Sequence, residues 1–258
     1  MTQYMFAIIL SRRDFREHDQ VLSLYTKEKG KLEALARGVK KITSKNSGSL
    51  EPFSLVEIEI IPGKEIDHIG SVQIVELFKN IRGDLEKITA AQLAVALIDT
   101  LFTAAEPDST SFNLIISWLQ ALDKTPSVNP IILDALVFKL LAQLGFAPQL
   151  NECSRCGSTP SPSQMRGQGE ASLAFDITAG GILCSDCSLK PAHGNLIMPM
   201  TPVVLESLKT ILNQNWSVIF SLTLDKKEVP QLHNLVYQFA IFHSGKKLKE
   251  WGGLDKYI

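Results

Sequence analysis

The clearest structural pattern in the chain lies in residues 7–41, AIILSRRDFREHDQVLSLYTKEKGKLEALARGVKK. Polar turn residues here separate short apolar or alternating runs at residues 5–10, 21–26 and 32–36. Short runs bounded by turn residues are typical of β-strands, whereas a helix needs a longer segment with a 3.6-residue period. Lys29-Gly30 predicts a tight turn between the second and third runs. The stretch is therefore expected to form β-structure.

Two more candidate strands follow at residues 55–61 and 66–75, with Pro62-Gly63 as the turn between them. Five short strands within residues 1–80 fit an OB-type barrel. The open face of that fold commonly binds single-stranded nucleic acid, because a basic groove follows the phosphates while aromatic rings stack on the bases. Residues 38–49, GVKKITSKNSGS, are basic and rich in glycine and serine, which predicts a flexible loop beside that face.

The charge of the chain is unevenly distributed. Its 258 residues carry a formal net charge of −1, but residues 1–50 hold ten basic and five acidic side chains, a local charge of +5. This asymmetry indicates that the N-terminal part faces a polyanion. The alternative is that the charges only solvate a surface, and that Phe15 and Tyr25 pack in the core instead of stacking on bases. The candidate nucleic-acid-binding residues are cations at strand ends and in the basic loop: Arg12, Arg13, Arg37, Lys40, Lys41 and Lys45.

From about residue 84 the apolar period becomes helical, with a stripe of apolar side chains over residues 90–103. A second helix is expected to start from a cap at Ser109, Thr110 or Ser111 and to reach about residue 122. The helices that begin here predict an α-helical bundle domain over residues 81–258.

Cap-then-proline pairs mark later helices of this domain. Asn129-Pro130 predicts the start of a third helix and Gly145 its end, and Thr201-Pro202 opens another. The last helix is expected at residues 230–249. Its basic end, which contains Lys246, Lys247 and Lys249, is either a second nucleic-acid contact or a solvated last turn.

All four cysteines of the chain fall in two CxxC pairs, Cys153/Cys156 and Cys184/Cys187. Two intervening residues let the backbone turn so that both sulfurs of a pair face one ion, and two pairs supply the four thiolates of a tetrahedral zinc site. The sequence therefore predicts a structural Zn²⁺ bound by these cysteines. The alternatives are a redox dithiol and two disulfides, and disulfides would require an oxidising compartment.

A zinc-ribbon-like module is expected at about residues 150–195, inserted in the helical domain. The two pairs are separated by 27 residues, more than the roughly 15 to 20 of ordinary ribbons. Residues 158–172 are rich in Ser, Pro, Gly and Gln and predict a loop. Residues 173–177 predict a short strand and residues 179–181 a turn. The expected fold class is thus α+β and multidomain: an N-terminal OB-fold β-barrel, an α-helical bundle domain and the inserted four-cysteine module.

Nothing in the sequence predicts export or membrane insertion. The first ten residues have no basic segment and only a short apolar run, unlike a signal peptide. Asp99 interrupts one of the longest apolar helices, and Asp134 and Lys139 interrupt another, which argues against a membrane span. A soluble, cytoplasmic protein is expected.

The sequence also lacks the motifs of common enzyme classes. It has no GxxxxGK(S/T) phosphate loop and no GxGxxG fingerprint, and its five histidines show no spacing relation to a nucleophile. A turn explains residues 16–19 (REHD) better than a metal site, because one tight turn supplies too few ligands. The expectation is a protein that is not an enzyme. A zinc-containing nucleic-acid enzyme and a CxxC redox protein are the alternatives.

Residues 7–41, together with SGSLEPFSLVEIEI (47–60) and HIGSVQIVE (68–76), resemble the N-terminal domain of the RecO family of bacterial recombination mediators. Helices, two CxxC pairs and further helices then follow in the order of that family, so the resemblance covers essentially the whole chain. The specific elements are Arg12-Arg13 at the end of a strand, the turn from Glu17 to Asp19, Thr26 with Lys29-Gly30, Ala36-Arg37-Gly38 and Leu50-Glu51-Pro52-Phe53.

This resemblance implies an OB-fold, a helical domain and a four-cysteine zinc module. Proteins of the family bind single- and double-stranded DNA and anneal complementary strands. With RecR, they help to load RecA onto DNA that is coated by single-strand-binding protein. DNA, RecR and single-strand-binding protein are therefore the expected partners, with RecA reached indirectly, and Zn²⁺ is the expected cofactor.

Overall fold

The computed structural model describes residues 2–42, 44, 46–103, 106–160, 173–190, 194–248 and 251. The chain divides into two compact units, Met1–Pro126 and Ser127–Ile258. The domain boundary expected at 80/81 stays a prediction: the last barrel strand ends nearby, at Glu76, while the helices that follow belong to the same compact unit as the barrel. Within the described residues, no helix is long and apolar enough to cross a membrane.

Five strands form a closed barrel in the first unit, as expected for an OB-fold. They are β1 (Gln3–Asp14), β2 (Gln20–Thr26), β3 (Gly30–Ala36), β4 (Leu55–Ile61) and β5 (Asp67–Glu76). Their order around the barrel is β1-β2-β3-β5-β4. The contact of β3 with β5 is parallel, and the other pairs are antiparallel. All five predicted strands are confirmed.

The first strand extends well beyond the predicted residues 5–10. It pairs with β4 through Gln3–Ile8 and with β2 through Ala7–Asp14, with a register shift between Ile9 and Ser11. The polar end of the strand carries no apolar pattern of its own, and β2 keeps it extended by hydrogen bonding. This extension places Arg12 and Arg13 within β1, close to its C-terminal end.

Alternate residues of the strands fill the barrel, because successive side chains of a strand point to opposite faces. The fully buried interior includes Ala7, Ile9, Leu22, Leu24, Val56 and Ile58. Tyr25 is also fully buried, with its ring centroid 4.7 Å from that of Phe102 and 6.1 Å from that of Phe112. Tyr25 is therefore a core residue and is not available to stack on bases.

The described part of the first unit also contains the helices α1 (Lys79–Arg82), α2 (Leu85–Leu101) and α3 (Ser109–Lys124). The predicted cap of α3 at residues 109–111 is wrong by one to three positions. Asp108 is the N-cap, and its carboxylate accepts hydrogen bonds from the Thr110 and Ser111 amides at 2.9 and 3.1 Å. A carboxylate is well suited to this position, because it also interacts favourably with the positive end of the helix dipole.

Among the described residues of the second unit, the helices are α4 (Ile132–Leu141), α5 (Ser185–Ser188), α6 (Pro202–Asn213), α7 (Trp216–Phe220) and α8 (Glu228–Ser244), and a π-helical turn at Ala142–Phe146 follows α4. Helix α4 packs against both α6 and α8, which confirms a helical bundle. Thr201 caps α6 as expected, since its side chain accepts from the Val204 amide.

The last helix ends at Ser244, five residues before the expected end, because Gly245 adopts a left-handed conformation with φ of 64°. Lys246 and Lys247 therefore lie beyond the helix and not in its last turn. Lys249 is outside the described residues.

A small antiparallel sheet accompanies the cysteines in the second unit, with strands β6 (Leu173–Asp176), β7 (Gly181–Leu183) and β8 (Ile197–Met200) in the order β7-β6-β8. The strand predicted at 173–177 and the turn after it are confirmed, whereas β8 was not predicted. Phe175 of the sheet packs edge-on against Phe239 of α8, with ring centroids 5.7 Å apart. Most of the predicted loop, residues 161–172, lies outside the described residues.

Candidate nucleic-acid surface and metal centre

Two loops meet at one end of the barrel, residues 15–19 between β1 and β2 and residues 37–41 after β3. The Gly38 amide donates to Asp19 Oδ1 at 2.7 Å, and the Lys40 amide donates to the His18 carbonyl at 3.1 Å. Arg16 and Asp19 exchange backbone hydrogen bonds of 3.4 and 3.3 Å, as expected for a turn. These bonds fix the loops relative to each other without any ligand.

A surface pocket of about 390 Å³ lies between the two loops. It contains two of the predicted cations, Arg37 and Lys41, and also Arg16, which was not among the predicted nucleic-acid contacts. Within the described part of the chain, Arg16 and Lys41 form no ion pair. The pocket is lined by three cations, two carboxylates, a histidine and a glycine: Arg16, Arg37, Lys41, Glu17, Asp19, His18 and Gly38.

The other described candidate cations are each paired with a carboxylate of the same unit. Exposed ion pairs of this kind contribute only about 0–1 kcal/mol, so a phosphate can compete with the carboxylate. Lys45, the remaining candidate, is outside the described residues. The pairs are Arg12 with Glu51 at 2.7 Å, Arg13 with Glu33 at 3.0 Å and Lys40 with Asp14 at 2.7 Å.

Arg37 is oriented by a histidine that the sequence pattern did not reveal. Its Nη2 atom lies 3.1 Å from Nε2 of His68 on β5. A guanidinium can only donate, so this contact is a hydrogen bond when Nε2 of His68 carries no proton. The contact follows from the parallel pairing of β3 with β5, in which Leu35 lies opposite His68. His68 thus contacts the Arg37 side chain from the neighbouring strand.

Phe15 directly precedes Arg16, a residue of the pocket lining, and is 47% exposed. The guanidinium carbon of Arg16 is 5.1 Å from its ring centroid, within the range of a cation–π contact. The Phe15 amide donates to the Asp19 carbonyl at 3.1 Å, which anchors the residue directly after β1. Of the two aromatics considered from the sequence, Phe15 alone reaches the surface.

The four cysteines come together in the second unit, with their sulfurs all within 4.8 Å of one another. Cys156 Sγ and Cys184 Sγ are 3.8 Å apart. A tetrahedral zinc site with Zn–S bonds of about 2.3 Å requires sulfurs about 3.8 Å apart, so the cluster has the dimensions of such a site. All four cysteines are free thiols. The arrangement is compatible with a structural metal.

Backbone turns orient the two sulfurs of each CxxC pair toward the centre of the cysteine cluster. In the first pair, the Gly157 amide donates to the Cys153 carbonyl at 2.8 Å, and Gly157 has a φ of 73° that a residue with a side chain rarely adopts. In the second pair, Cys184 is the N-cap of α5 and its carbonyl accepts from the Ser188 amide at 2.9 Å. The two intervening residues of each CxxC thus occupy a tight turn, as expected.

The thiols cannot all ionise at neutral pH without a cation near them. Hydrogen bonds from the Ser158 side chain and backbone lower the pKa of Cys156 to about 6. Burial, followed by hydrogen bonds to the other cysteines, raises the pKa of Cys187 to about 12. Four thiolates at these separations repel one another, and a divalent cation between them removes that repulsion.

Arg155, between the first two cysteines, links the two pairs. Its Nη1 donates to the carbonyl of Cys187 at 2.8 Å, and its Nη2 lies 3.9 Å from Oδ2 of Asp176. The side chain therefore connects the first turn to the second turn and to strand β6. Sequence reasoning missed this role, because the contact spans 32 residues.

In comparisons with known proteins, both parts of the chain match protein-family models. Residues 1–78 match the family model described as Recombination protein O N terminal, and residues 82–252 match Recombination protein O C terminal. The chain belongs to the RecO family. The DNA repair protein RecO of Desulforamulus reducens is 32% identical over 250 residues, which cover 97% of this chain and 93% of that protein.

Two other members of the RecO family align over 252 and 183 residues. The DNA repair protein RecO of Pelotomaculum thermopropionicum is 29% identical over 252 residues, covering 97% of this chain and 93% of that protein. That of Anaeromyxobacter sp. strain K is 35% identical over 183 residues, covering 70% and 68%. The expected family is thereby confirmed, and this RecO chain is a DNA repair protein with an OB-fold barrel, a helical domain and a four-cysteine cluster.

Proposed function

We propose that this chain is a mediator of DNA repair and homologous recombination that binds single- and double-stranded DNA and anneals complementary strands. With RecR, it helps to load RecA onto DNA coated by single-strand-binding protein. It makes and breaks no bonds itself and works at the nucleoid in the bacterial cytoplasm. Membership of the RecO family supports this proposal. The observation that carries it is the convergence of Arg16, Arg37 and Lys41 at one end of an OB barrel.

The proposed contacts with DNA are electrostatic. Arg37 and Lys41 bind phosphates from the pocket, and Lys45, which lies outside the described residues, is a further proposed contact. Phosphate binding releases condensed counterions, which is the main favourable term for such contacts. At Arg12, Arg13 and Lys40, a phosphate replaces a carboxylate, so one exposed ion pair is exchanged for another. These contacts read no base edges, and binding is expected to be independent of sequence.

Annealing follows from the same surface. Two complementary strands repel each other through their phosphates, and a cationic surface lowers that repulsion while it leaves the base edges free to pair. The free energy of annealing comes from base pairing, so a nucleotide-hydrolysing motif is not required. The loops are already tied together by hydrogen bonds, so little conformational entropy is lost when DNA binds.

Zn²⁺ is the metal that we propose for the four cysteines. Cys153, Cys156, Cys184 and Cys187 would hold it as thiolates, and the ion would supply the cross-link that keeps both turns and the small sheet folded. Four protein ligands complete a tetrahedral shell, which supports a structural role for the ion over the enzymatic and redox alternatives.

The decisive experiment is annealing of complementary oligonucleotides coated with single-strand-binding protein, with and without RecR and in the absence of nucleotide. Wild-type chain should accelerate annealing. Arg37→Ala combined with Lys41→Ala should slow it and reduce the salt slope of DNA binding by about 1 for each phosphate that is no longer neutralised. Failure of the wild type under every condition would overturn the proposal.

A matched control is available in the second unit. Lys226→Ala combined with Lys227→Ala also removes two exposed lysines, but from a turn outside the barrel. This variant has the same net charge as the pocket variant. Equal losses in the two variants would show that net charge, and not the pocket, governs binding.

A further inference from the structure

Phe15 combines three properties that a surface aromatic seldom has together. It is 47% exposed, its backbone is anchored to Asp19, and its ring contacts Arg16, one of the three cations that line a pocket. Single exposed aromatics are common on protein surfaces and mean little alone. The adjoining pocket gives this one a specific environment.

The pocket is of a suitable size and charge for one nucleotide. Its volume of about 390 Å³ falls in the range of small-ligand sites, about 300–1,000 Å³. Arg16, Arg37 and Lys41 line the pocket together with Glu17 and Asp19, so its arginine, lysine and carboxylate side chains sum to a charge of +1. One of the two carboxylates, that of Asp19, already accepts the Gly38 amide at 2.7 Å.

We propose that the pocket holds a single unpaired nucleotide, with its base stacked on Phe15 and its phosphate bound by Arg37 and Lys41. This inference rests on the proposed binding of DNA and adds to it a subsite that recognises unpaired bases. Arg16, whose guanidinium lies 5.1 Å from the Phe15 ring centroid, supports the ring and contributes charge to the phosphate.

The subsite distinguishes single strands from duplexes. In a duplex, each base is stacked between its neighbours and its face is closed to Phe15, so only the phosphate contacts form. In a single strand the base is free to stack, and this contact is available to every base because all bases have a π-face. The same surface therefore binds both forms of DNA, but Phe15 contributes only to the binding of single strands.

The test uses three probes of equal length. Single-stranded oligo(dT) and an oligonucleotide of abasic residues have the same backbone charge, and a duplex has about twice that charge because it has two strands. Affinity is measured by fluorescence anisotropy at one salt concentration. Phe15→Leu should weaken binding of oligo(dT) at least about fivefold, the lower end of the range for removal of a base–aromatic stack. Binding of the duplex and of the abasic probe should change less than about twofold, since phosphate contacts remain.

Two further variants make the result specific. Phe6→Leu, which replaces another exposed aromatic of the barrel, 38% exposed, should leave all three affinities unchanged. Phe15→Trp should restore binding of oligo(dT), and the fluorescence of the new tryptophan should be quenched by oligo(dT) but not by the abasic probe. A Phe15→Leu variant that loses affinity equally for all probes, or for none, would overturn the subsite. Failure of the wild type to bind any probe would instead overturn the proposed binding of DNA.

Discussion

Lys31 Nζ lies 2.8 Å from Asp99 Oδ1, joining strand β3 to helix α2. Asp99 also accepts hydrogen bonds from Ser23 Oγ of β2 at 2.7 Å and from Ser11 Oγ of β1 at 3.2 Å. One carboxylate on a helix thus contacts three successive strands of the barrel. Asp99, the charged residue that interrupts an otherwise apolar helix in the sequence, therefore links that helix to the barrel.

Asp99→Asn should therefore destabilise the first unit. The substitution keeps the shape of the side chain but leaves the half-buried Lys31 ammonium without its counter-charge. We expect a loss of about 1–2 kcal/mol in the free energy of unfolding, because both side chains are only partly screened by solvent. Urea denaturation measures this loss. Glu86→Gln, at an exposed position of the same helix, should change the value by less than about 0.5 kcal/mol.

The same carboxylate should make stability depend on acid pH. Burial raises the pKa of Asp99, but hydrogen bonds from Lys31 and Ser23 and the charge of Lys31 outweigh it, and the pKa falls below its ordinary value of 3.8. A lowered pKa in the folded state stabilises the fold above 3.8, and this contribution is lost as the pH falls further. Unfolding followed between pH 6 and pH 2 should show a shallower decline below about pH 4 for Asp99→Asn than for the wild type. Parallel curves for the two proteins would contradict this assignment.

Removing one cysteine should release the proposed zinc. Cys156→Ser is the cleanest variant, because Cys156 is the exposed member of the cluster and its loss opens no cavity. Bound zinc, measured by mass spectrometry of the purified chain, should fall from about one ion per chain towards zero. Amide exchange should accelerate in β6 and β7 and stay unchanged in the barrel.

A matched control distinguishes loss of a zinc ligand from loss of a side chain that only contacts a ligand. Ser158→Ala removes the hydroxyl that lies 3.0 Å from the Cys156 sulfur but removes no proposed ligand. This variant should keep its zinc. A zinc-free wild type, or equal zinc content in Cys156→Ser and the wild type, would contradict the metal assignment.

Freeing a paired cation should strengthen DNA binding. Glu51→Gln removes the carboxylate that lies 2.7 Å from the Arg12 guanidinium and raises the local charge by one. We expect an affinity gain of about a factor of a few at low salt, with a smaller gain at high salt because screening weakens the effect. Glu206→Gln, which breaks the 3.0 Å pair with Lys209 in the second unit, is the control and should have no effect. Weaker binding by Glu51→Gln would show that the pair itself positions Arg12.

Local pattern explains which elements were predictable. The barrel strands were found because their apolar runs and glycine turns lie within a few residues of each other, and the cysteines because a CxxC defines its own geometry. The polar end of β1 was not found, since its extended form depends on pairing with β2. Strand β8 was not predicted, and it is held by β6 over a long sequence separation.

The candidate site was predictable only as a set of charges. Composition identified the basic segment, and the loop sequence suggested Arg37 and Lys41. It did not show that Arg16 joins them, because the meeting of two loops depends on hydrogen bonds between residues about 20 positions apart. The pairing of Arg12 with Glu51, 39 residues away, was equally invisible.

The carboxylates that pair with Arg12, Arg13 and Lys40 have a kinetic consequence for a strand held at this end of the barrel. Each carboxylate is tethered beside its cation at a high effective concentration, so it is an intramolecular competitor for every phosphate that dissociates. A bound strand would then leave in small steps, one phosphate at a time, and no step would leave a bare cation behind. Such a surface favours a short residence time over tight retention, which suits the proposed transfer of DNA to a partner protein.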